Sequence, residues 1–436
     1  MKQNNYYRGY VSSRPINGNI IPQSLQNLKI RDYAKSKSIN YKLSITEYKM
    51  KGVFLALNSL KKEIKFLSGI IFFSIYQLGE NKIKRNEILN FFILNKKKIY
   101  FAMEDIVVKN KEDIHEVETI FFYQAKLIFK YKMKYIITGG AGFIGSHLVE
   151  RLIKYKSNKI IVIDNLSTGR IENISNFKNI KFVKCDLSKK NNSWIKYFKN
   201  IDCVFHLAAL ADIVPSIEKP EKYFQSNVTA TLNIIQACRK YKVKKLLYSA
   251  SSSCYGITKH VPTNESHEIS TQYPYALTKY LGEQICLHWG KVYKIKVISL
   301  RLFNVYGTRS RTSGTYGAMF GTFLTQKLNK KPYTIVGDGS QSRDFTYVTD
   351  VVEAFLKASK SNISNEVFNV GSGKHVSVKK IAKYLGGETV HIPKRPGEPD
   401  ITFADTTKIK RKLNWKPKID IKMGIKELIK NIDYWK

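Results

Sequence analysis

Cysteine is scarce: five occur in 436 residues, Cys185, Cys203, Cys238, Cys254 and Cys286. An odd number without a Cys-x-x-Cys pair argues against a disulfide framework and a zinc site, and fits a reducing, cytoplasmic setting. Long apolar runs are also missing, since none approaches the ~20 residues that span a bilayer. The opening MKQNNYYRGY is too polar for a secretory leader, so a soluble chain is expected. Acidic residues are few, 34 against 74 Lys and Arg, which leaves a formal net charge of +40. Such a surplus ordinarily raises nucleic acid as a partner. Here Lys is spread along the whole chain, with Ile and Asn also abundant. No specific nucleic-acid partner and no metal are expected, and the basic surface would attract small anionic ligands.

What the sequence does contain is organised around residues 134–149, KYIITGGAGFIGSHLV. Tyr135–Ile137 reads as a buried strand, Thr138–Gly145 as a glycine-rich turn, and Phe143 to about Tyr155 as an amphipathic helix. This order aims free N–H groups and a positive helix end at one point, which suits a pyrophosphate. Gly139, Gly142 and Gly145, with Phe143 and Ile144, are the residues expected to hold it. Lys159–Ile163 forms the next strand and ends in Asp164, an acid placed to accept hydrogen bonds from a ribose diol. A carboxylate there repels a 2′-phosphate, so NAD is expected rather than NADP. Asn165 continues that loop, Asp186 and Leu187 end a third strand facing the adenine, and His206 to Ala209 end a fourth. Of these, Ala208 is small enough to admit a cofactor.

Downstream, the strand Lys245–Ser249 runs into Ser251-Ser252-Ser253-Cys254-Tyr255-Gly256, and Tyr275-Ala-Leu-Thr-Lys279 opens a helix. Tyr and Lys at i and i+4 share a helix face. Half-ionising a phenol at neutral pH requires a drop of roughly three units, or ~4 kcal/mol. A lysine ammonium and a positive nicotinamide ring are charges of the kind that supply it. The phenol then serves as a general base or acid.

With these motifs in place, residues 133–436 resemble the extended short-chain dehydrogenase/reductase family, and within it the UDP-glucose 4-epimerase type. The resemblance implies Ser251 as the catalytic hydroxyl, Tyr275 as the base, Lys279 as its partner on the nicotinamide ribose, and Asn227 as support near the cofactor. It implies Asn304, Arg343, Arg395 and Glu398 as substrate-binding residues, with Thr402 beside the sugar's C2 substituent. A small residue there leaves room for an N-acetyl group. Sugar 4,6-dehydratases carry an Asp-Glu pair after the catalytic hydroxyl, and UDP-glucuronate decarboxylases a Glu; this chain has Ser252 and Ser253. The implied fold is an NAD-binding Rossmann domain over 133–307, to which 346–371 return, and a mainly substrate-binding α/β domain over 308–436. A UDP-sugar substrate and a homodimer through helices 215–240 and 274–292 are implied as well. Another NAD-dependent nucleotide-sugar oxidoreductase or epimerase is the alternative.

Residues 1–132 read as a separate α/β domain. Strands at Tyr7–Val11, Lys42–Thr46, Ile70–Tyr76 and Lys98–Met103 alternate with helices at Pro22–Lys37, Val53–Phe66, 82–94 and 112–130. Four such units predict a small flavodoxin-like parallel sheet covered on both faces. The segment YRGYVSSRPINGNIIPQSLQNLKIRDYAK, with ITEYKM and FFSIYQLGENKIKR, resembles the sporadic carbohydrate cluster family, which implies no established reaction. A fainter similarity to serine recombinases would make Ser12 a nucleophile. The positions expected to be acidic or arginine are Tyr76, Gln77 and Glu80, so that chemistry is rejected. Ser12, Ser13, Arg14, Asn17, Gln77 and Glu104 fall at predicted strand ends. They read equally as a ligand site and as polar turns of a docking domain that assembles a pathway.

Overall fold

A computed structural model of the protein describes residues 6–13, 16, 20–47, 55–79, 81–130, 133–155, 158–189, 193–258, 260–310, 319–393 and 400–435. Five residues singled out in the sequence, Arg14, Asn17, Glu80, Arg395 and Glu398, lie outside the described residues. The chain divides into two units, Met1–Tyr131 and Lys132–Lys436.

In the first unit the order is β1 (Tyr6–Ser12), α1 (Gln23–Ser36), β2 (Tyr41–Glu47), α2 (Leu55–Glu63), β3 (Leu67–Phe72), α3 (Lys82–Leu94), β4 (Lys98–Phe101), β5 (Ile106–Val108) and α4 (Asp113–Lys130). The sheet runs β2-β1-β3-β4-β5, the flavodoxin-like order. Its core lies on both faces, with Ile70, Phe72 and Phe101 in one cluster and Val11, Ile30 and Ile71 in the other. Gly69 lets β3 approach β4, since a Cβ there would meet the Lys98 carbonyl oxygen at 2.0 Å.

Two expectations need correction. The third strand stops at Phe72 instead of continuing to Tyr76, because Ser74 and Gln77 form a capping box that starts a 3₁₀ turn over Ile75–Leu78. The sheet is not wholly parallel: β4 ends at Phe101, and β5 returns antiparallel to it. A three-residue strand carries too few alternating positions to be read from sequence.

The second unit opens with β6 (Lys134–Thr138), α5 (Phe143–Ile153), β7 (Lys159–Asp164), α6 (Glu172–Ser175), β8 (Ile180–Lys184) and β9 (Cys203–His206). Then come α7 (Ile213–Glu218), α8 (Pro220–Phe224), α9 (Ala230–Lys240), β10 (Lys245–Ser251), α10 (Pro274–Tyr293), β11 (Lys296–Leu302) and β12 (Asn304–Tyr306). The chain continues through α11 (Met319–Leu328), β13 (Tyr333–Val336), β14 (Ser342–Arg343), β15 (Phe345–Tyr347), α12 (Val348–Lys360) and β16 (Glu366–Val370). The last elements are β17 (Val376–Ser377), α13 (Val378–Leu385), β18 (Thr389–Ile392), β19 (Ile401–Thr402), α14 (Thr407–Leu413), α15 (Ile421–Lys430) and a 3₁₀ turn, Ile432–Trp435.

Seven strands form one sheet in the order β16-β11-β10-β9-β6-β7-β8, and every pairing in it is parallel. Leu148, Val149 and Leu152 of α5 and Val351 and Phe355 of α12 cover one face. Ile234 and Ile235 of α9 and Cys286 of α10 cover the other. Strand order reverses between β6 and β9, and in such sheets the crevice at that point takes the ligand. A smaller lobe has its own aromatic core, including Tyr306, Phe320, Phe323, Tyr333 and Trp435.

The helix expected over residues 215–240 is interrupted by a π turn at Gln225–Thr229. Asp350 sits in the first turn of α12, yet its carboxylate accepts hydrogen bonds from the Lys418 and Ile419 backbone N–H groups at 2.9 Å each. Among the described residues no helix is long and apolar enough to cross a membrane, and no cluster of three potential metal ligands occurs.

Candidate active site

The glycine loop takes its shape from close contacts that only glycine permits. A Cβ on Gly145 would meet the Gly139 carbonyl oxygen at 2.1 Å, so helix α5 packs directly on the turn. Gly139 has φ +70° and lies so near the Ala208 backbone that a Cβ would fall 2.6 Å from its nitrogen. Gly142 caps α5 without a side chain, leaving the first-turn N–H groups of that helix available to an anion. These groups open onto a cavity of about 840 Å³.

The cavity is lined by Gly139, Gly142, Phe143, Ile144 and Gly145 from the loop, and by Asp164, Asn165, Asp186, Leu187 and Ala208 from the ends of β7, β8 and β9. Asp164 is buried, and its carboxylate accepts from the Ala141 N–H at 3.0 Å and the Leu166 N–H at 2.9 Å. Burial raises its pKa while those backbone bonds pull it down. Each carboxylate oxygen carries further lone pairs, which a ribose diol can use. Asp186 bonds the Ser188 N–H and hydroxyl, at 3.0 and 2.7 Å, which fixes the turn after β8. An anion-binding helix end, a buried acceptor one strand away and small residues between them suit a dinucleotide.

Asn227 does not line this cavity. It is 1% exposed and fully engaged inside the protein: its oxygen accepts from Leu210 N–H at 2.8 Å, and its amide donates to Leu210 O and Thr278 Oγ1 at 3.0 and 3.1 Å. It thereby ties the loop after β9 to α10 from within the π turn, a distortion often found beside functional sites. His206 is also buried, between Thr138 Oγ1 and Thr231 Oγ1 at 2.8 Å each. Burial first, and the Lys279 charge second, hold it neutral with a pKa near 3. It braces the sheet beneath the loop and does not face the cofactor.

Ser249 on β10 and Tyr273, just before α10, also line the cavity, whereas Ser251, Tyr275 and Lys279 are not among its lining residues. Tyr275 lies at the start of α10, where its N–H donates to Ser216 Oγ at 3.1 Å. Burial raises the phenol, and side-chain hydrogen bonds from Ser251 and Ser253 oppose that rise. Ser253 Oγ donates to Ser251 Oγ at 2.8 Å, so the two serine hydroxyls are joined. Lys279 is 4% exposed, with Nζ 4.4 Å from the Tyr248 ring centroid. Burial lowers its pKa to about 8. The lowering of Tyr275 anticipated from the Tyr–Lys spacing is not delivered by the protein's own groups; the serine hydroxyls are what counter burial. Asp212, on the cavity wall, adds a charge that raises the phenol further.

Helix α10 is anchored by a buried ion pair absent from the sequence reading. Arg301 on β11 meets Glu283 through two bonds, 2.6 and 3.1 Å long, and also donates to Tyr255 Oη at 2.9 Å. In the smaller lobe, Asp344 is fully buried and accepts from Ser372, Gly373 and Ala404 N–H groups. Its carboxylate shapes the turn between β16 and β17. No periodic or motif signal marks either group, since each acts on chain distant in sequence.

Of the expected substrate residues, Asn304 lines the main cavity. Arg343 and Thr402 are paired across β14 and β19. Arg343 Nη1 donates to Ser342 O at 3.0 Å and Asp400 O at 3.4 Å. Among the described residues, Thr402 Oγ1 is buried without a hydrogen-bond partner.

Comparisons with known proteins agree with this geometry. The model of the NAD dependent epimerase/dehydratase family matches residues 135–371. A UDP-glucose 4-epimerase of Lactobacillus helveticus is 34% identical over 308 residues, covering 66% of this chain and 92% of the relative. The structure of Thermotoga maritima UDP-glucose 4-epimerase with UDP-glucose is 34% identical, with a TM-score of 0.65, and the match covers 70% of this chain and 98% of that one. The UDP-N-acetylglucosamine 4-epimerase of Methanobrevibacter ruminantium, in complex with UDP-N-acetylmuramic acid, is 34% identical with a TM-score of 0.64, over 69% and 99% of the two chains. With more than half of its length matched by that family model, the chain belongs to the NAD dependent epimerase/dehydratase family.

Proposed function

We propose that this protein interconverts UDP-hexoses at C4, with UDP-glucose and UDP-N-acetylglucosamine as its substrates. One observation carries the reading. The Ser251 and Ser253 hydroxyls oppose the burial-driven rise of the Tyr275 phenol, and neither residue after Ser251 has a carboxyl group with which to eliminate a 6-hydroxyl or serve a decarboxylase. When bound, NAD supplies an oxidised nicotinamide that accepts the C4 hydride and later returns it. Tyr275 takes the proton of the 4-hydroxyl as base and gives it back as acid. Ser251 bonds the same sugar oxygen, and Ser253 orients Ser251. Lys279, one turn along the same helix, is assigned to the nicotinamide ribose, and the positive nicotinamide ring would draw the phenol toward ionisation.

The 4-keto sugar then presents its other face while the UDP stays fixed. Arg343, with Arg395 and Glu398, is assigned to the diphosphate and ribose, a task suited to guanidinium groups. Thr402, next to Arg343 across the strands, leaves space at the C2 substituent. Ile217, Phe224 and Leu277, each between 44% and 54% exposed on α7, α8 and α10, form an apolar strip that suits a homodimer. NMR product analysis with both UDP-hexoses tests the assignment: comparable turnover of each is expected, and a hundredfold preference for the plain hexose would remove the role given to Thr402.

A further inference from the structure

The glycine loop is clamped from a point nearly three hundred residues away. Ala141, between Gly140 and Gly142, uses both of its backbone groups outside the loop. Its N–H donates to Asp164 Oδ2 at 3.0 Å. Its carbonyl accepts twice, from Asn173 Nδ2 at 2.8 Å and from the Arg170 N–H at 3.1 Å. One of the two residues that grip this carbonyl is in turn gripped by a phenol. Tyr434 Oη donates to Asn173 Oδ1 at 2.9 Å, and the Arg170 charge acts on the same phenol, lowering its pKa against burial. Tyr434, Asn173 and Ala141 thus form a chain of hydrogen bonds.

Its two ends belong to different parts of the second unit. Trp435, adjacent to Tyr434, is buried in the aromatic core of the smaller lobe, and Tyr434 and Ile432 pack against that core. Ala141 belongs to the glycine loop, and Asp164 lines the cavity that the loop opens onto. Asn173 is 9% exposed, so its bonds are not readily replaced by water. The segment after Asp164 is pressed on the loop as well, because a Cβ at Gly169 would lie 3.0 Å from both the Ala141 carbonyl carbon and Asp164 Oδ2.

We propose that Tyr434 and Asn173 are positioning residues for the dinucleotide: they fix the Ala141 peptide, and through it the Asp164 carboxylate, in the orientation that receives the adenosine half of NAD. The smaller lobe thereby sets the affinity for a cofactor bound elsewhere in the unit. The proposal rests on the NAD reading of the crevice and goes beyond it. Tyr434→Phe keeps the ring in its core and removes only the hydroxyl, so the fold is retained. Calorimetric titration of the full chain should show NAD⁺ and ADP each weakened about fivefold, the usual worth of one hydrogen bond, with UDP affinity unchanged. Asn173→Ala should weaken NAD⁺ similarly, and the double variant should be no weaker than Asn173→Ala alone, since both act through one chain of bonds. Unchanged NAD⁺ affinity in Tyr434→Phe, equal weakening of UDP, or additive losses in the double variant would overturn the clamp. Absence of NAD⁺ binding in the unaltered protein would overturn the cofactor reading along with it.

Discussion

Both units of this chain are α/β sheets covered by helices on two faces, and both place polar residues at the ends of parallel strands. They use those residues differently. In the second unit, strand ends surround a cavity, and Asp164 is part of its lining. In the first, the corresponding groups bond one another. Gln77 donates to Gln26 Oε1 at 3.0 Å and Ser12 Oγ at 3.4 Å, while its oxygen accepts from Phe73 and Ser74 N–H groups. Gln26 in turn accepts from the Ser12 N–H and donates to its carbonyl. Glu104 is taken up by Ser74 Oγ and the Ile75 N–H, at 2.5 and 3.1 Å. A shared architecture does not confer a shared activity. What separates the units is whether strand-end groups remain open to a ligand or close on themselves, and the closed knot favours a structural or docking role for Ser12 and Gln77.

The contrast can be broken at its strongest point first. Tyr275→Phe should lower kcat by about a thousandfold, as expected for loss of a general base, while nucleotide affinity stays within the range of the unaltered protein. Substantial turnover in that variant would remove the assignment of the second unit's site.

Next, Arg301→Met leaves the buried Glu283 carboxylate without its cation, at a cost of about 3–5 kcal/mol. In urea denaturation the loss should fall on a transition of the second unit, with the first unit's transition unmoved. One merged, shifted transition would show that the two units unfold together.

Lys279→Met sharpens the comparison by separating function from stability. A folded pKa of about 8, against 10.5 for an ordinary lysine, means that charging this side chain opposes folding. The penalty, on the order of 3 kcal/mol, is complete below pH 8 and disappears as pH rises to the unfolded value. The variant should therefore lose turnover yet gain stability at pH 7, and that gain should vanish near pH 10.5. A stability difference independent of pH would contradict the burial argument.

The smallest effect belongs to the first unit. Gln77→Leu should cost that unit about 1–3 kcal/mol by stranding the Phe73 and Ser74 N–H groups, with epimerase kinetics unchanged. Altered kinetics would show that the knot communicates with the other unit.

Glycines and short motif spacings were legible in the sequence because each demands a specific backbone or places a specific pair of side chains on one helix face. Gly139, Gly145, Asp164 and the Tyr275–Lys279 pair are of this kind. The flavodoxin-like strand order followed from alternating β and α segments. By contrast, β5 is too short to show a period, and the π turn around Asn227 looks like uninterrupted helix. Tyr434 with Asn173, and Arg301 with Glu283, become neighbours only when the chain folds. His206 reads as a strand end near a cofactor, but the hydroxyls of Thr138 and Thr231 claim both of its nitrogens.

The account turns on a hydride that leaves C4 and returns to it without leaving the protein. UDP-glucose deuterated at C4, incubated with the full chain and followed by NMR, tests this directly. The expected product is UDP-galactose retaining deuterium at C4, with no net NADH. Exchange of the label with solvent, accumulation of NADH, or a product altered at another carbon would contradict it.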